Sequence, residues 1–207
     1  MGRDLERLAR IARTLSRAAH PIKSLAAKGL PPLILVTDPD RTPDPVDLAE
    51  RLPRGSGVIF RGFGRPGARK TARKLAKTAR RRGLVLLIGA GALRIPGAGV
   101  HLPERLGHRA GAFKRARPGA IVTVAAHSLP ALIRARRAGA DAAVLSTVFR
   151  SKSPSAGPPA RPGAVRRPRP QGRPAGLCLG GVKTKTPRGC WAPGRRVWRW
   201  WRGWLRP

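Results

Sequence analysis

Acidic residues are scarce in this chain, which has nine Asp and Glu against 44 Lys and Arg among its 207 residues. The formal net charge is +35, and the last acidic residue is Asp141, so every later position is neutral or basic. A charge this large favours a partner that carries negative charge. Three classes of partner fit: nucleic acid, an anionic membrane surface and a phosphorylated small molecule.

Cysteine is also scarce, since only Cys178 and Cys190 are present. They lie 12 positions apart, with no second pair and no nearby His, which favours two free thiols in a reducing compartment over a zinc site. No apolar run approaches the ~18 residues needed to span a membrane. No secretory signal is recognisable, and Asp4 and Glu6 argue against a transit peptide. The sequence therefore predicts a cytoplasmic protein with no transmembrane segment.

The segment 1–30 is predicted to form an amphipathic helix and a linker. Apolar residues recur every three to four positions over 2–19, and Arg occupies the other side. Two interpretations fit this pattern: a helix packed under a barrel, or a helix that lies on a membrane surface.

The segment 31–159 alternates between apolar strands and helical patterns. Helices are predicted at 45–52, within 63–82, at 103–116 and at 128–139. Strands are predicted at 31–38, 57–61, 84–88, 98–102, 121–124 and 142–145. The third strand is wholly apolar, as expected of a parallel strand that is covered on both faces. The sequence therefore predicts an α/β protein, a (β/α)8 TIM barrel.

The segment 160–207 has a different composition. It is rich in Pro, Arg and Gly, and all five Trp lie within its last 17 residues. Residues 176–182 are predicted as a seventh strand, but nothing after them resembles an eighth, so the barrel is expected to be incomplete at strand 8. Three interpretations of this tail remain open: a frameshifted or mis-assembled end, a disordered basic arm, or a cationic Trp-rich segment that binds nucleic acid or an anionic surface.

A near match to the phosphate-binding loop G-x-x-x-x-G-K-[ST] runs from Gly64 to Thr71. Arg69 occupies the second required Gly, and its side chain would block the close approach of the backbone to phosphate, which argues against a nucleoside-triphosphate site. The helix that follows carries cations along one side. This stripe is either a solvated face or a surface that tracks a phosphate backbone. No aromatic residue interleaves it, which weakens a single-stranded interpretation.

The stretch 120–153 reads as a strand, a helix, a strand and a hydroxyl-rich loop, which indicates a βαβ unit. Small-molecule sites in such units lie at the carboxyl ends of the strands. The side chains that follow the two strands, His127, Ser128, Ser146 and Thr147, are therefore predicted to lie on the functional side.

This stretch resembles thiamine phosphate synthases and the related thiazole tautomerases. In these families an Ala-His-Ser/Thr segment ends the fifth strand, as 126–128 do here, and an Ala-Gly-Ala-Asp turn leads into the sixth, as at 138–141. The Gly-Val-His-Leu strand at 99–102 is similar as well. The resemblance covers roughly 33–159, with an echo at 176–182, and implies a barrel enzyme of thiamine biosynthesis.

The resemblance implies a transferase that joins an aminopyrimidine pyrophosphate to a thiazole phosphate and releases pyrophosphate. Its expected partners are thus phosphorylated pyrimidine and thiazole substrates. Arg61 matches the family's second-strand Arg, whereas the neighbouring Gln and Lys are replaced by Ile59 and Phe63. The family also implies Mg²⁺, which two aspartates usually help to hold. At the first of these positions this chain has Gly89 and Ala90. Near the second, Glu104 is the only carboxylate, and it is displaced from the expected position. No metal-ligating residue is predicted.

The predicted catalytic residues are Arg61 and His127, the second of which is either a substrate contact or a proton carrier. His127 also has a purely structural interpretation, as a side chain packed over the barrel mouth. His101 is expected to be structural. The predicted phosphate-binding residues are Arg61, Ser128, Ser146, Thr147, Ser151, Lys152, Ser153, Gly180 and Gly181. Two alternative functions remain: a thiazole tautomerase, in which His127 moves protons without a metal, and a non-catalytic basic protein that binds phosphate or nucleic acid on a degenerate barrel.

Overall fold

The computed structural model describes residues 29–31, 33–89 and 93–146, together with three helical residues near the start, Glu6, Arg7 and Arg10. It also describes the backbone of two later strands, 175–179 and 197–201. The three early residues are exposed. The rest of the predicted amphipathic helix lies outside the described residues, so its packing stays a prediction, as does the division of the chain into three segments.

Eight parallel strands form a closed barrel in which each strand pairs with the next along the chain and the eighth pairs with the first. The strands are Leu33–Val36 (β1), Gly57–Phe60 (β2), Val85–Gly89 (β3), Gly99–Leu102 (β4), Val122–Ala126 (β5), Ala142–Ser146 (β6), Ala175–Leu179 (β7) and Val197–Trp201 (β8). The predicted α/β barrel is confirmed. All six strands predicted before residue 149 are present.

The apolar side chains of the strands divide between the inside and the outside of the ring. One cluster joins Ile34, Ile59, Leu87 and Val144, which come from β1, β2, β3 and β6 and can meet only across the barrel interior. The alternate side chains pack outward against helices, in one cluster around β1 to β3 and another around β4 to β6. Because both faces are covered, each of these strands is almost wholly apolar.

Among the described residues, helices follow four of the strands, and their ends are set by recognisable residues. They are Pro45–Glu50 (α1), Ala68–Arg82 (α2), Ala110–Ala116 (α3) and Leu129–Arg137 (α4). Asp44 accepts hydrogen bonds from two backbone N–H groups of α1 at 2.9 Å, and Ser128 caps α4. Two glycines with left-handed backbone, Gly67 and Gly83, bound α2. No described helix is both long and apolar enough to cross a bilayer.

The segment 103–116 was predicted as one helix, but the structure divides it into a 3-10 helix, Glu104–Arg109, and α3. Gly107 lies against β5, where an added Cβ would stand 2.9 Å from Cγ1 of Val124. This close approach places the 3-10 helix, and Glu104 at its start, beside the carboxyl end of β5.

The sequence predicted no strand after β7, and the described backbone has one there, β8. Val197–Trp201 pairs in parallel with both β1 and β7, in a register that sets Trp200 opposite Ile34 and Trp198 opposite Leu177. The physical reason is that a β-branched residue followed by aromatics suits a pleated strand, and that this strand satisfies the otherwise open edges of two neighbours. The ring is closed, and the described residues between β3 and β4, 93–98, contain no helix.

Candidate functional site

The carboxyl end of β2 holds a fixed arginine at the mouth of the barrel. Arg61 follows the inward-facing Ile59 by two positions, so it lies on the interior side of the ring. Its backbone N–H donates to Oγ1 of Thr37 at 3.0 Å, and its Nε donates to the carbonyl oxygen of the same residue at 2.9 Å. Its Nη2 donates to Oδ2 of Asp38 at 2.9 Å. The two residues that follow β1, Thr37 and Asp38, thus fix both the backbone and the guanidinium of Arg61.

Burial and nearby charges act on this guanidinium in opposite directions. Burial lowers the pKa of Arg61, the Asp38 carboxylate raises it, and the charge of Arg41 lowers it again. Arginine still remains protonated in proteins. The ring of Phe63 lies 5.2 Å from the guanidinium carbon, within the range of a cation–π contact. The mouth therefore carries a permanent, partly desolvated positive charge.

His101 lies in the barrel interior beside this charge. Its neighbours Val100 and Leu102 pack outward, so the alternation along β4 turns His101 inward. Its Nδ1 is 2.9 Å from Oγ1 of Thr123 on β5, the residue directly opposite it in the register. Burial, assisted by the charge of Arg61, lowers the pKa of His101 to about 3. His101 is therefore a neutral imidazole at ordinary pH.

A second group of side chains gathers around His127 at the end of β5. Oε2 of Glu104 accepts hydrogen bonds from the backbone N–H of His127 at 2.9 Å and from its Nδ1 at 2.8 Å. The other carboxylate oxygen of Glu104 accepts from Arg134 of α4 at 3.0 Å. Burial alone would raise the pKa of Glu104, but the hydrogen bonds from His127 and the positive charges outweigh it and hold that pKa below its usual value.

This group stands at the edge of a groove with a volume of about 840 Å³. The groove lies outside the barrel, because its floor includes the outward-facing Val124 of β5 together with Ala131 and Ala135 of α4. Basic side chains line its rim, among them Arg105 and Arg137. His127 is exposed and lines this groove together with Glu104, just after the carboxyl end of β5.

The structure brings only some of the predicted site residues together. Arg61 and His127 both follow the carboxyl ends of strands, but no hydrogen bond or ion pair joins them in the described part of the chain. Ser128 caps α4 by accepting from the backbone N–H of Ala131 at 3.3 Å, which is the local role that its position suggests. Ser146 ends β6, opposite Leu179 of β7. The other predicted phosphate contacts, Thr147, Ser151, Lys152, Ser153, Gly180 and Gly181, lie outside the described residues.

Several residues of the site were not predicted as members of it. Thr37 and Asp38 hold Arg61, Thr123 holds His101, and Glu104 holds His127. Each of these partners comes from a strand or loop next to its target in the ring. The sequence contained one usable signal: polar residues follow consecutive apolar strands, and the carboxyl ends of neighbouring parallel strands meet at one rim.

The described residues of the mouth offer no complete set of protein ligands for a magnesium ion. Mg²⁺ prefers carboxylate oxygens in octahedral geometry, and no cluster of three or more His, Cys, Asp or Glu occurs within the described ranges. The Asp38 carboxylate is bonded to Arg61. At Gly89, where the resembling families place polar residues, an added Cβ would lie 3.0 Å from the carbonyl oxygen of Phe60 and 3.3 Å from Cγ of Arg61. A longer side chain therefore has little room there unless Arg61 moves.

Comparison with known proteins places these features in a family. The thiamine monophosphate synthase family matches residues 33–196. Among solved structures, the chain is similar to the thiamine phosphate pyrophosphorylase from Pyrococcus furiosus, with a TM-score of 0.58 and 17% identity over 79% of this chain and 81% of that one. At this identity the likeness shows the fold alone. None of the curated proteins matches the chain.

Proposed function

Because the chain belongs to the thiamine monophosphate synthase family, we propose that it joins an aminopyrimidine pyrophosphate to a thiazole phosphate and releases pyrophosphate. The reacting groups would meet at the barrel mouth, at the carboxyl ends of the strands. The observation that carries this proposal is the fixed guanidinium of Arg61.

Arg61 has the donors that a pyrophosphate group requires. A guanidinium has five N–H donors, and described residues engage two of the five, one on Nε and one on Nη2. Three donors are left in a rigid planar arrangement, which suits bidentate binding of phosphate oxygens. The side chain is 20% exposed, so it is accessible from the mouth and yet partly desolvated.

The environment of Arg61 also suits the chemistry of a departing pyrophosphate. Negative charge grows on the leaving group as its bond to the pyrimidine methylene breaks, and a preorganised cation stabilises that charge most where water is excluded. The contacts with Thr37 and Asp38 hold the cation before substrate arrives, so little reorganisation is needed. His101 stays neutral beside it and so does not repel the guanidinium.

A thiazole tautomerase is the second candidate, and the pair of His127 and Glu104 favours it. Nδ1 of His127 donates to the carboxylate at 2.8 Å, which leaves Nε2 to accept or return a proton. A carboxylate that fixes the tautomer of an imidazole in this way is a common arrangement for a general base. Proton transfer within a thiazole phosphate needs no metal, so Glu104 and His127 could serve it without a bound ion.

Two assays separate the candidates: pyrophosphate release with both substrates, and isomerisation of the thiazole phosphate alone. For the synthase, Arg61→Met should lower kcat/KM for pyrophosphate release by about 100-fold to 1000-fold, since it removes a charged donor from the developing anion. Arg65→Met is the matched control, because Arg65 is an exposed arginine whose ion pair is with Asp40. Equal activity of the Arg61 and Arg65 variants would contradict the proposal.

The same assays test His127. His127→Gln should abolish isomerisation if the tautomerase is correct, and should leave pyrophosphate release nearly unchanged if the synthase is correct. A folded wild-type protein that catalyses neither reaction would overturn both candidates and would favour a non-catalytic phosphate-binding role.

A further inference from the structure

The outer surface of α2 is a continuous basic face. Seven exposed cations form it: Arg69, Lys70, Arg73, Lys74, Lys77, Arg80 and Arg81. At 3.6 residues per turn these positions fall within an arc of about 140°. The opposite side of the helix, with Ala72, Leu75 and Ala79, is buried against the barrel. We call these seven side chains the basic face of α2.

Little negative charge balances the basic face of α2. In the described part of the chain, Arg81 is the single member with a carboxylate partner, Glu50. The other six have no described ion pair. No acidic residue occupies the first turn, so Arg69 and Lys70 stand near the positive end of the helix dipole. Cations spaced three and four positions apart also repel one another. An anionic partner would relieve this repulsion, whereas among the described residues only the contact of Glu50 with Arg81 does so.

We propose that the basic face of α2 binds the phosphate backbone of double-stranded nucleic acid without reading its sequence. Its two ends, Arg69 and Arg81, are about 18 Å apart at 1.5 Å per residue. A duplex presents one negative charge per ~1.7 Å of its axis, so phosphates are available along the whole length of the helix. Lysine and arginine side chains are the usual contacts to phosphate oxygens.

The composition of α2 limits the kind of nucleic acid that it would bind. The helix contains no Asn or Gln, the residues that pair with adenine edges. It also contains no aromatic residue, and proteins that bind single strands stack bases on aromatic rings. The apolar side of α2 is buried, so the helix cannot insert into a membrane as an amphipathic surface helix does. The lack of aromatic residues and the buried apolar side favour a duplex, bound through its backbone, as the partner of α2.

The basic face is separate from the site proposed for catalysis. Arg61 lies at the end of β2, on the inner side of the ring, whereas α2 packs on the outside. In a βα unit the helix runs back from the mouth, which carries the middle and end of α2 away from it. Substitutions at Arg73, Lys74 and Lys77 should therefore leave both activities of the preceding section unchanged.

The experiment measures binding of the full chain to a short fluorescent duplex as a function of salt concentration. Each phosphate contact contributes about 0.9 to the slope of log K against log salt. The triple variant Arg73→Gln, Lys74→Gln, Lys77→Gln should reduce that slope by about 3 and weaken binding at about 0.1 M salt by roughly 500-fold. The single variant Lys77→Gln should reduce it by about 0.9, which keeps the test decisive if the triple variant fails to fold.

The matched control removes the same charge from another surface. Arg109, Arg115 and Arg136 are exposed and lie around α3 and α4. Changing these three to Gln should alter the slope by less than about 1. An equal loss in both triple variants would show a response to total charge and would overturn the proposal. Preference for single strands, or binding to phosphatidylserine vesicles with no binding to duplex, would overturn it as well.

Discussion

The buried histidine at the barrel mouth should make the stability of the protein depend on pH in a calculable way. His101 has a pKa of about 3 in the folded protein, against 6.5 for an ordinary histidine. Above about pH 6.5 the imidazole is neutral in both the folded and the unfolded chain, and its environment contributes fully to stability. Below that pH the imidazole of His101 binds a proton in the unfolded chain but not in the folded chain. Stability is therefore lost as the pH falls from about 6.5 toward 3.

The size of the effect follows from the shift. One pH unit between the two pKa values corresponds to about 1.4 kcal/mol. Between about pH 7.5 and about pH 4.5 the wild-type protein should lose about 3 kcal/mol of unfolding free energy through this one group, and the full shift corresponds to about 5 kcal/mol. Carboxylates with lowered pKa values, such as Glu104, add their own loss in acid, so the histidine must be isolated by comparison.

The substitution His101→Asn isolates the contribution of this histidine to the pH dependence of stability. The amide keeps a donor near the position of Nδ1 and can still bond to Thr123, but it does not ionise in this range. Urea unfolding, followed by circular dichroism between about pH 7.5 and about pH 4.5, gives the free energy of unfolding at each pH. The plot of this free energy against pH should be flatter for the variant than for the wild type, by up to about 1.4 kcal/mol per pH unit. Thr123→Val is the control, since it removes the hydrogen bond but leaves the histidine. Parallel curves for wild type and His101→Asn would refute the assignment of a buried neutral imidazole.

Two further predictions concern contacts that hold the barrel together. Gly99→Ala should lower the free energy of unfolding by about 1–3 kcal/mol or more, because the added Cβ would stand 2.4 Å from the carbonyl oxygen of Ile121. The thermal unfolding midpoint measures this loss. An unchanged midpoint would show that β4 and β5 are less close. Asp141→Ala should cost about 1–3 kcal/mol, because it removes the carboxylate that accepts from the buried backbone N–H of Val122 at 2.9 Å. A urea midpoint equal to that of wild type would contradict that role.

The sequence predicted the strand core well because parallel strands are buried on both faces. Their apolar runs left little choice for β1, β2 and β3. The boundaries were less certain where small residues extend a strand: β5 was predicted to end at Val124 but continues to Ala126. Alanine has no preference for a strand, so only pairing with β6 fixes that end.

What the sequence did not predict depends on contacts between distant positions. β8 consists mainly of aromatic residues in a basic segment, and its neighbours β1 and β7 decide its conformation. The site shows the same dependence. The resemblance indicated Arg61 and His127 individually, but the contact of Arg61 with Asp38 spans 23 positions, as does that of His127 with Glu104. No local pattern encodes such pairs; they follow from which strands are neighbours in the ring.

Closure of the ring by β8 has a consequence for how the protein is made. Leu33 of β1 pairs with Arg199 of β8, so the seam of the barrel joins positions more than 160 residues apart. Contacts of such sequence separation form slowly, since loop closure must precede them. During synthesis at about 5–20 residues per second, β1 to β6 emerge well before β8 exists. For that interval the nascent chain presents unpaired strand edges at both ends of the growing sheet, and a chaperone that shields edges would be needed most then.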